Sequence, residues 1–453
     1  MGPFHARRPG IGFAAKGYDL TDFQAFGLDA HILKTLSGLG FTAPTPIQAK
    51  AIPVVMEGRD IMGLAQTGTG KTAAFGLPLI QHLLSALGRP APKTCKALIL
   101  APTRELVNQI ALNLRSFTKG TPLRVNSVVG GMSINAQIRT LAHGSDILVA
   151  TPGRLMDLVK RQAIRLDSAK FLVLDEADQM LDLGFIHTLR EIARMVGQPR
   201  QTLLFSATMP KQMTEIAAAY LTDPVRVEVA VPGQTADKIE QAAHFVEGPA
   251  KLALLKDLLS ADADALSLVF ARTKHGAEKL SKSLASAGFA TGSIHGNKSQ
   301  GQRDRTLKAF RNGEIRVLVA TDVAARGIDI PGVSHVYNYD LPEVAENYVH
   351  RIGRTARAGA DGKAVALCSA AEYNLLVAIE RLTGITVETA SGERPQRAMG
   401  GGKAKRSGGR GRPNGGGKPQ GKPAAAKKPF DPMKAASQRN KKKQQRARSF
   451  RAA

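Results

Sequence analysis

Short apolar runs alternate with stretches of helical periodicity over most of the chain. Between residues 59 and 230 the strand-like runs are Asp60–Leu64, Ala97–Ala101, Val125–Val129, Asp146–Ala150, Phe171–Leu174 and Thr202–Phe205. The alternation then repeats, with strand-like runs at Ser267–Phe270, Gly292–His295, Arg316–Ala320, Ser334–Tyr339 and Lys363–Leu367. Between these runs lie helical stretches such as Lys274–Ser286 and Gln302–Arg311. Alternation of this kind is typical of βαβ units, so it predicts two α/β domains with parallel sheets.

The segments between these blocks set the predicted domain bounds. Residues 232–238 contain a Pro-Gly pair and few apolar side chains, which indicates a linker. Beyond residue 391 the composition changes to Gly, Pro, Lys, Arg, Ala and Gln, with too little apolar surface to offset the entropy of ordering. We therefore predict a disordered leader (1–20), a first domain (21–231), a linker (232–238), a second domain (239–390) and a disordered tail (391–453).

The charge of the chain is large and uneven. The formal net charge is +26 at pH 7. Residues 391–453 carry 19 Lys and Arg against Glu393 and Asp431, a net charge of +17 that leaves +9 for residues 1–390. A positive surplus of this size favours a polyanionic partner, and nucleic acid is the commonest polyanion inside a cell.

Cysteine usage and hydropathy indicate an intracellular, soluble protein. Cys95 and Cys368 each adjoin an apolar run and have no second Cys or His at metal-ligand spacing, which predicts inert thiols in a reducing compartment. The chain has no run of about 18 apolar residues, as a membrane span would need. Residues 1–18 contain no acid and carry Arg7, Arg8 and Lys16. A transit peptide is therefore an alternative to a disordered leader.

A Gly-rich loop follows the first strand-like run and precedes a helical stretch. Residues 65–72 read Ala-Gln-Thr-Gly-Thr-Gly-Lys-Thr, beginning with Ala65 where the general phosphate-loop pattern has Gly. In this context backbone N–H groups can surround phosphates, Lys71 can neutralise the β- and γ-phosphates, and the Thr72 hydroxyl can reach Mg²⁺. The predicted nucleotide-binding residues of the loop are Gln66, Thr67, Gly68, Thr69, Gly70, Lys71 and Thr72. A Gly/Thr-rich turn without function is the alternative.

Two acids stand at the end of a buried strand about a hundred residues further on. Phe171–Leu174 runs directly into Asp175, Glu176, Ala177 and Asp178. Open α/β sheets bind their ligands at the carboxyl ends of the strands. We expect Asp175 to hold Mg²⁺ and Glu176 to orient or deprotonate the attacking water. A solvated acidic loop is the alternative.

The run Asp-Glu-Ala-Asp resembles the sequence after which DEAD-box RNA helicases are named, and other motifs similar to those of this family follow in order over roughly residues 20–383. The resemblance implies two RecA-like domains of the P-loop NTPase kind that bind ATP·Mg²⁺ between them. The segment from Phe41 to Gln48, with Phe23 further back, resembles the family's adenine-recognition motif. Ala356 stands where the family more often has Gly. The basic tail is most similar to that of the bacterial RhlE-like subgroup.

The resemblance also implies residues for RNA contact and for coupling. The segments similar to the family's RNA contacts supply Pro102, Thr103, Arg104, Gly131, Thr151, Gly153, Arg154, Arg272, Gln300, Arg303 and Thr321. The residues that would couple ATP hydrolysis to strand separation are Asp178, Ser206, Thr208 and His350. Most of these residues are small, hydroxylated or arginine, a set that suits contacts with phosphates and sugars, so RNA binding is expected to be independent of base sequence.

Physical chemistry supplies roles for the nucleotide residues that the resemblance identifies. A Gln amide both donates and accepts, so Gln48 predicts a preference for adenine, on which Phe23 could stack. Phosphoryl transfer needs positive charge at the γ-phosphate in the transition state, for which Arg354 and Arg357 are the candidates. By resemblance, Asp329 would hold the ribose hydroxyls.

The most direct function for this set of motifs is an RNA-dependent ATPase that separates RNA duplexes. Two alternatives stay open: an ATP-gated RNA clamp or annealing chaperone, and a DNA helicase of the same superfamily, against which the Asp-Glu-Ala-Asp run and Gln48 argue. We expect a cytoplasmic monomer that binds single-stranded and duplex RNA and no membrane, with partners in ribosome assembly or RNA decay left open.

Overall fold

The computed structural model describes residues 22–65, 68–86, 88–209, 211–229, 239–325, 330, 332–356 and 360–395. The predicted leader, the predicted linker and residues 396–453 of the predicted tail lie outside this range. Four predicted site residues also lie outside it, namely Gln66, Thr67, Asp329 and Arg357.

The first half of the described chain forms a seven-stranded parallel sheet in the order β3-β4-β2-β5-β6-β1-β7. Its strands are β1 (Ile61–Leu64), β2 (Cys95–Leu100), β3 (Val125–Val128), β4 (Ser145–Ala150), β5 (Phe171–Leu174), β6 (Gln201–Ser206) and β7 (Val225–Glu228). Its helices are α1 (Ala30–Gly38), α2 (Pro46–Met56), α3 (Lys71–Ser85), α4 (Arg104–Phe117), α5 (Ile134–Leu141), α6 (Pro152–Lys160), α7 (Ala177–Asp182), α8 (Ile186–Met195) and α9 (Lys211–Tyr220). A 3₁₀ turn, Phe23–Phe26, precedes them.

The second half forms another seven-stranded parallel sheet, in the order β10-β11-β9-β12-β13-β8-β14. Its strands are β8 (Ile239–Phe245), β9 (Leu266–Phe270), β10 (Thr291–Ile294), β11 (Val317–Ala320), β12 (Val333–Asn338), β13 (Gly362–Cys368) and β14 (Glu388–Ser391). Its helices are α10 (Gly248–Ala261), α11 (Lys274–Ala285), α12 (Gln300–Arg311), α13 (Asp322–Ala325), α14 (Ala345–Ile352) and α15 (Tyr373–Thr383).

The two sheets have the same order once strands are matched along the chain. β3, β4, β2, β5, β6, β1 and β7 correspond in turn to β10, β11, β9, β12, β13, β8 and β14. The chain therefore contains two tandem α/β domains of the same topology, each with a parallel sheet, as predicted. Each of the eleven predicted strands has a counterpart, whereas β7, β8 and β14 were not predicted.

Burial explains why the strands read as continuous apolar runs. Every residue of β4, β5 and β11 is buried, as expected for parallel strands covered by helices on both faces. Because all strands of a sheet are parallel, their carboxyl ends lie at one edge. That edge is where the loops carrying the predicted site residues leave the strands.

The two cysteines belong to these cores. Cys95 and Cys368 are fully buried and unpaired. Burial raises the pKa of each thiol to about 12, which agrees with the prediction of inert thiols. Within the described ranges the structure contains no helix that is both long and apolar enough to cross a membrane.

Candidate functional site

The loop between β1 and α3 carries the predicted phosphate-binding residues. Gly70 caps α3 with a φ of 93°, and Gly68 has a φ of 87°. A Cβ atom on Gly70 would lie 2.5 Å from Nε2 of Gln48, so both the backbone and the space require glycine there. The N-terminus of α3 lines an open cavity through Gly70, Lys71 and Thr72, so it is accessible to a phosphate.

Gln48 joins the segment before α2 to this loop. Its side chain completes a capping box, because Oε1 accepts from the backbone N–H of Thr45 at 2.9 Å. Its Nε2 donates to the carbonyl of Gly70 at 3.1 Å, and the Thr45 hydroxyl donates to the carbonyl of Thr69 at 2.8 Å. The amide still has one N–H and one lone pair beyond these two bonds, enough to pair with a base edge. Gln48 thus positions the phosphate loop as well as lining the cavity beside it.

The aromatic residues of this region form an edge-to-face series. Phe23 is 4% exposed, and its ring centroid lies 6.0 Å from that of Phe26 and 6.1 Å from that of Phe41. Phe41 also contacts Phe117 at 5.8 Å and lines the cavity, whereas Phe23 packs behind it. The ring that the structure places at the cavity wall is therefore Phe41, and stacking by Phe23 stays a prediction.

The two predicted catalytic acids follow β5 and are both 2% exposed. Lys71 Nζ lies 3.6 Å from Asp175 Oδ1 and donates to the carbonyl of Ala65 at 3.1 Å. Burial raises the pKa of Asp175 to about 6, with Lys71 opposing the shift and Glu176 adding to it. Glu176 has φ 52° and ψ 52°, the left-handed conformation that non-glycine residues adopt mainly where the surrounding structure imposes it.

Asp178 connects this turn to the segment after β6. Its Oδ2 accepts from the backbone N–H groups of Ala207 at 3.0 Å and Thr208 at 2.9 Å, and from the Thr208 hydroxyl at 3.1 Å. The Ser206 hydroxyl donates to the Thr208 carbonyl at 2.6 Å. Three of the four predicted coupling residues therefore form one hydrogen-bonded unit. A movement of the acidic turn would displace the segment that follows β6 through these bonds.

The phosphate loop, the segment before α2 and the acids after β5 border one cavity in the first domain, with a volume of about 280 Å³. Phe41 and Gln48 line it together with Lys71, Asp175 and Glu176. It thus combines an aromatic ring, an amide, an ammonium group and two carboxylates. This set suits a nucleoside phosphate, with the ring and amide for a base and the charged groups for phosphate and the attacking water.

The predicted RNA residues share a position in the fold, since they follow carboxyl ends of strands. Pro102, Thr103 and Arg104 follow β2, and Thr151, Gly153 and Arg154 follow β4. Gly131 follows β3, Arg272 follows β9, Gln300 and Arg303 follow β10, and Thr321 follows β11. Each set therefore lies along the edge of its sheet where ligands are bound in α/β folds.

Four of these residues meet in a polar cluster between the two domains. Arg104 Nη1 donates to Gln300 Oε1 at 3.2 Å, and Gln300 Nε2 donates to Glu105 Oε1 at 3.2 Å. Arg303 Nη2 forms an ion pair with the same oxygen of Glu105 at 3.0 Å. Glu105 directly follows Arg104 in the sequence and was not predicted as a site residue. These bonds join the two domains through residues that were predicted to contact RNA. Contact of these residues with RNA stays a prediction.

The fourth member of the cluster, Gly131, makes room for Arg104. Its φ is 75°, and a Cβ atom there would lie 2.0 Å from Arg104 Nη1. Arg154 reaches the same loop and donates from Nη1 to the carbonyl of Met132 at 3.0 Å. Burial lowers the pKa of Arg104, with Glu105 opposing the shift. The glycine is therefore explained by the close approach of a guanidinium group.

Arg272 does not belong to this cluster, because its side chain binds Glu372, just before α15 in the second domain. Its Nη2 lies 2.7 Å from Oε1 of Glu372, which also accepts from the backbone N–H of Leu341 at 3.2 Å. The other carboxylate oxygen of Glu372 lies 2.5 Å from Nζ of Lys251. Arg272 is nonetheless partly exposed, so it can still meet a ligand at this edge.

Arg351 and Arg354 have different surroundings despite their proximity in sequence. Arg351 is 1% exposed, forms a two-pronged ion pair with Asp322 at 2.5 and 2.8 Å, and donates to Asn338 Oδ1 at 3.0 Å. Its guanidinium group lies 4.9 Å from the ring centroid of Phe270. This is a structural arginine that sequence reasoning gave no role. The sequence carries no local signal for this role, because Asp322 lies 29 residues before Arg351.

Arg354 follows α14, is 5% exposed, and donates from Nε to the carbonyl of His350 at 3.2 Å. Two residues later Ala356 has a φ of 54°, in the region where glycine is favoured. Ala356, where DEAD-box helicases more often have Gly, therefore occupies a position whose backbone conformation suits glycine.

A phosphate loop before one helix, acids after β5 and arginines in a second domain of the same topology define a two-domain RecA-like NTPase. Comparison with known proteins gives the family. The profile described as DEAD/DEAH box helicase matches residues 45–216, and that described as Helicase conserved C-terminal domain matches residues 250–359. The "ATP-dependent RNA helicase CshA" of Listeria monocytogenes is 45% identical over 364 residues, 80% of this chain and 69% of the relative.

A second relative and a solved structure agree with this match. The "DEAD-box ATP-dependent RNA helicase CshA" of Bacillus subtilis is 43% identical over 361 residues, 80% of this chain and 72% of the relative. The structure of S. cerevisiae Dbp5 bound to RNA and ADP BeF3 has a TM-score of 0.73 and 33% identity, over 82% of this chain and 96% of that one. The chain belongs to the DEAD-box family of ATP-dependent RNA helicases. The relatives from Listeria monocytogenes and Bacillus subtilis both carry the name CshA, so the predicted RhlE-like subgroup is not supported.

Proposed function

We propose that this chain hydrolyses ATP at the cavity of its first domain and uses the cycle to separate short RNA duplexes without reading base sequence. The observation that carries the proposal is the convergence of Gln48, Lys71 and Glu176 on one cavity. We place the domains at 21–231 and 239–390, joined by the linker 232–238. The ion pair between Glu105 and Arg303 joins the two domains, and we propose that this contact opens and re-forms during the cycle.

At the ATP site we assign phosphate binding to Lys71 and the loop before it. Water activation is assigned to Glu176, and Arg354 and Arg357 are assigned to the γ-phosphate. The residues present fit Mg²⁺, because the buried Asp175 carboxylate and Thr72 line the same cavity and supply the hard oxygen donors that this ion prefers. Bound there, the ion would offset the charge of the phosphates.

For the base, we expect Gln48→Ala to remove the preference for ATP over GTP. The amide has one N–H and one lone pair left for an adenine edge after its bonds to Thr45 and Gly70. The substitution also releases the phosphate loop, so nucleotide affinity should fall generally as well. The measurement is the ratio of kcat/KM for ATP and GTP, which separates lost preference from lost affinity.

Asn113→Ala is the matched control for this variant, because Asn113 is another amide that lines the cavity. It should leave the ATP-to-GTP ratio unchanged. A control variant that loses the preference while Gln48→Ala keeps it would place base recognition on α4. Equal use of the two nucleotides by the unmodified protein would already refute the assignment.

For RNA, we propose contacts with the sugar-phosphate backbone at the carboxyl edges of both sheets. The side chains available there include the partly exposed Arg272 and Arg154, which is largely buried but keeps some exposure. Guanidinium groups, hydroxyls and helix N-termini bind phosphates and sugars and carry little base information. The Dbp5 structure, to which this chain is similar, was solved with RNA bound.

Multiple-turnover strand separation tests this function against its alternative. With ATP in excess, the chain should release one strand of a short RNA duplex repeatedly, and a non-hydrolysable analogue should not support repeated release. Long-lived RNA binding with the analogue, but no strand release with ATP, would favour an ATP-gated clamp or annealing chaperone. A parallel DNA duplex tests the DNA helicase alternative.

We further propose that residues 396–453 tether RNA and raise its local concentration. The cut is placed after Pro395 because Ser391 ends β14 and bonds to His244 at 2.7 Å, and Arg394 pairs with Glu380. The removed segment contains 18 Lys and Arg. If a third of them meet phosphates, deletion should lower the slope of log affinity against log salt by about four for single strands.

The measurement is RNA affinity between about 50 and 200 mM salt, together with ATPase rate against RNA concentration. A tail of equal length with its 18 basic residues changed to Gln is the matched control, since it removes charge but keeps length. Saturating RNA should restore most of the ATPase rate of both variants. Parallel salt slopes would rule out the tether, and failure of rescue would make the segment part of the catalytic unit.

We also propose a cytoplasmic monomer. The two buried thiols suit a reducing compartment. Both halves of the ATP site lie in one chain, so a second copy is not required.

A further inference from the structure

Helices α10 and α11 border an open groove of about 570 Å³ on the second domain. Lys256 lies on the α10 side, and His275, Lys279, Lys282 and Ser283 lie on the α11 side. Three lysines and two serine hydroxyls in one groove make it a candidate for an anionic ligand.

Basic residues stand on both walls of the groove. His275, Lys279 and Lys282 occupy positions i, i+4 and i+7 of α11, so they share one helix face over about 10 Å. Lys256 faces the groove from α10. Within the part of the chain that the structure describes, neither Lys256 nor Lys279 has a carboxylate partner, in contrast to Lys251, which pairs with Glu372. A linear polyanion in the groove would therefore meet positive charge from both sides.

The one acid among the groove residues is already committed. Glu278 accepts from Lys298 Nζ at 2.8 Å, from Ser293 Oγ at 2.6 Å and from His295 Nε2 at 3.1 Å. These hydrogen bonds hold the pKa of Glu278 at about 2. Lys282 Nζ lies further away, at 3.7 Å. The carboxylate thus anchors the loop after β10 and leaves a net positive charge in the groove.

The helix that forms one wall of the groove, α11, begins at the edge of the second domain that carries the predicted RNA residues. α11 begins at Lys274, directly after Arg272 and Thr273. The bond from Lys298 to Glu278 ties the loop before Gln300 to the same helix. An RNA strand that leaves this edge along α11 would therefore run toward the groove.

We propose that this groove binds the phosphodiester backbone of RNA that extends beyond the residues holding it at the sheet edge. The inference rests on the proposed RNA helicase function and adds a second contact region to it. A protein partner fits less well, because Leu252 is the only apolar side chain among the described residues of the lining and stable protein interfaces have an apolar core. Lysine and serine are typical donors to phosphate oxygens.

The test is a full-length variant with Lys256→Gln, Lys279→Gln and Lys282→Gln, assayed with single-stranded RNAs of increasing length. For long RNA, three lost phosphate contacts should lower the slope of log affinity against log salt by about two. Affinity at about 50 mM salt should fall by roughly tenfold or more. For RNA just long enough to saturate the ATPase, affinity and kcat should be unchanged, since these lysines are not assigned to the ATP site.

The matched control changes Lys34, Lys119 and Lys308 to Gln, three exposed lysines outside the groove with the same total charge. It should leave the salt slope unchanged. Equal slopes for the groove variant and the unmodified protein, or equal losses for the control, would overturn the proposal, as would a loss that does not depend on RNA length. Failure of the helicase function itself is distinguishable, because the unmodified protein would then lack RNA-stimulated ATPase.

Discussion

We expect Glu176→Gln to stop ATP turnover while binding of ATP and RNA persists. Glu176 is 2% exposed, directly follows Asp175 and has a left-handed backbone that glutamine can adopt as readily as glutamate. The phosphate loop and Lys71 are untouched, so the nucleotide is still held. The amide cannot take a proton from water, and loss of a general base lowers rates by about 10² to 10⁴.

Steady-state ATPase rates, with nucleotide affinity measured separately, test this expectation. Asp178→Asn is the matched control in the same turn, because Asp178 bonds to Ala207 and Thr208 and is not assigned to the water. It should reduce strand separation more than ATP hydrolysis. Near-normal hydrolysis by the Glu176 variant would contradict the assignment of water activation to Glu176. Lys71→Ala should instead weaken nucleotide binding itself, because it removes the ammonium group assigned to the phosphates. It also leaves the buried Asp175 without its cation.

The fold was predictable where strands are buried along their whole length, and less so at the β7 and β14 edges of the two sheets. β5 and β11 are buried along their whole length, and their apolar runs marked them in the sequence. β14 is exposed throughout and β7 carries Arg226 and Glu228, so neither produces an apolar run. Edge strands of this kind are fixed by pairing with a neighbour, which periodicity along the chain does not report.

The chemistry of the site was predictable from local motifs, but its long-range pairing was not. The loop ending in Lys71 and the acids after β5 follow from residue type and position relative to a strand. The bonds from Gln300 and Arg303 to Glu105 join residues nearly 200 positions apart, and the sequence alone does not indicate them. The same holds for the second bond of Gln48, to Gly70, which gives a residue predicted to recognise the base a structural role as well.

Arg354→Ala should cut ATP turnover by about two orders of magnitude or more, since arginines that meet a γ-phosphate are worth about 10³ to 10⁵ in rate. ATP binding should change little, because the nucleotide cavity is built from the first domain. Arg354→Lys keeps the charge but loses the planar fork, so it should recover only part of the rate. The measurements are single-turnover hydrolysis at saturating RNA and nucleotide affinity in its absence.

Arg351→Ala is the control that separates catalysis from folding. Arg351 is almost completely buried and holds Asp322 and Asn338, so its removal leaves a partly buried carboxylate without its partner. That loss costs about 3 to 5 kcal/mol, which should lower the melting temperature of the second domain by roughly 10 °C. Arg354→Ala should lower it far less. Equal melting losses for the two variants would make Arg354 a structural residue, and normal hydrolysis by Arg354→Ala would place the transition-state charge elsewhere, with Arg357 as the next candidate.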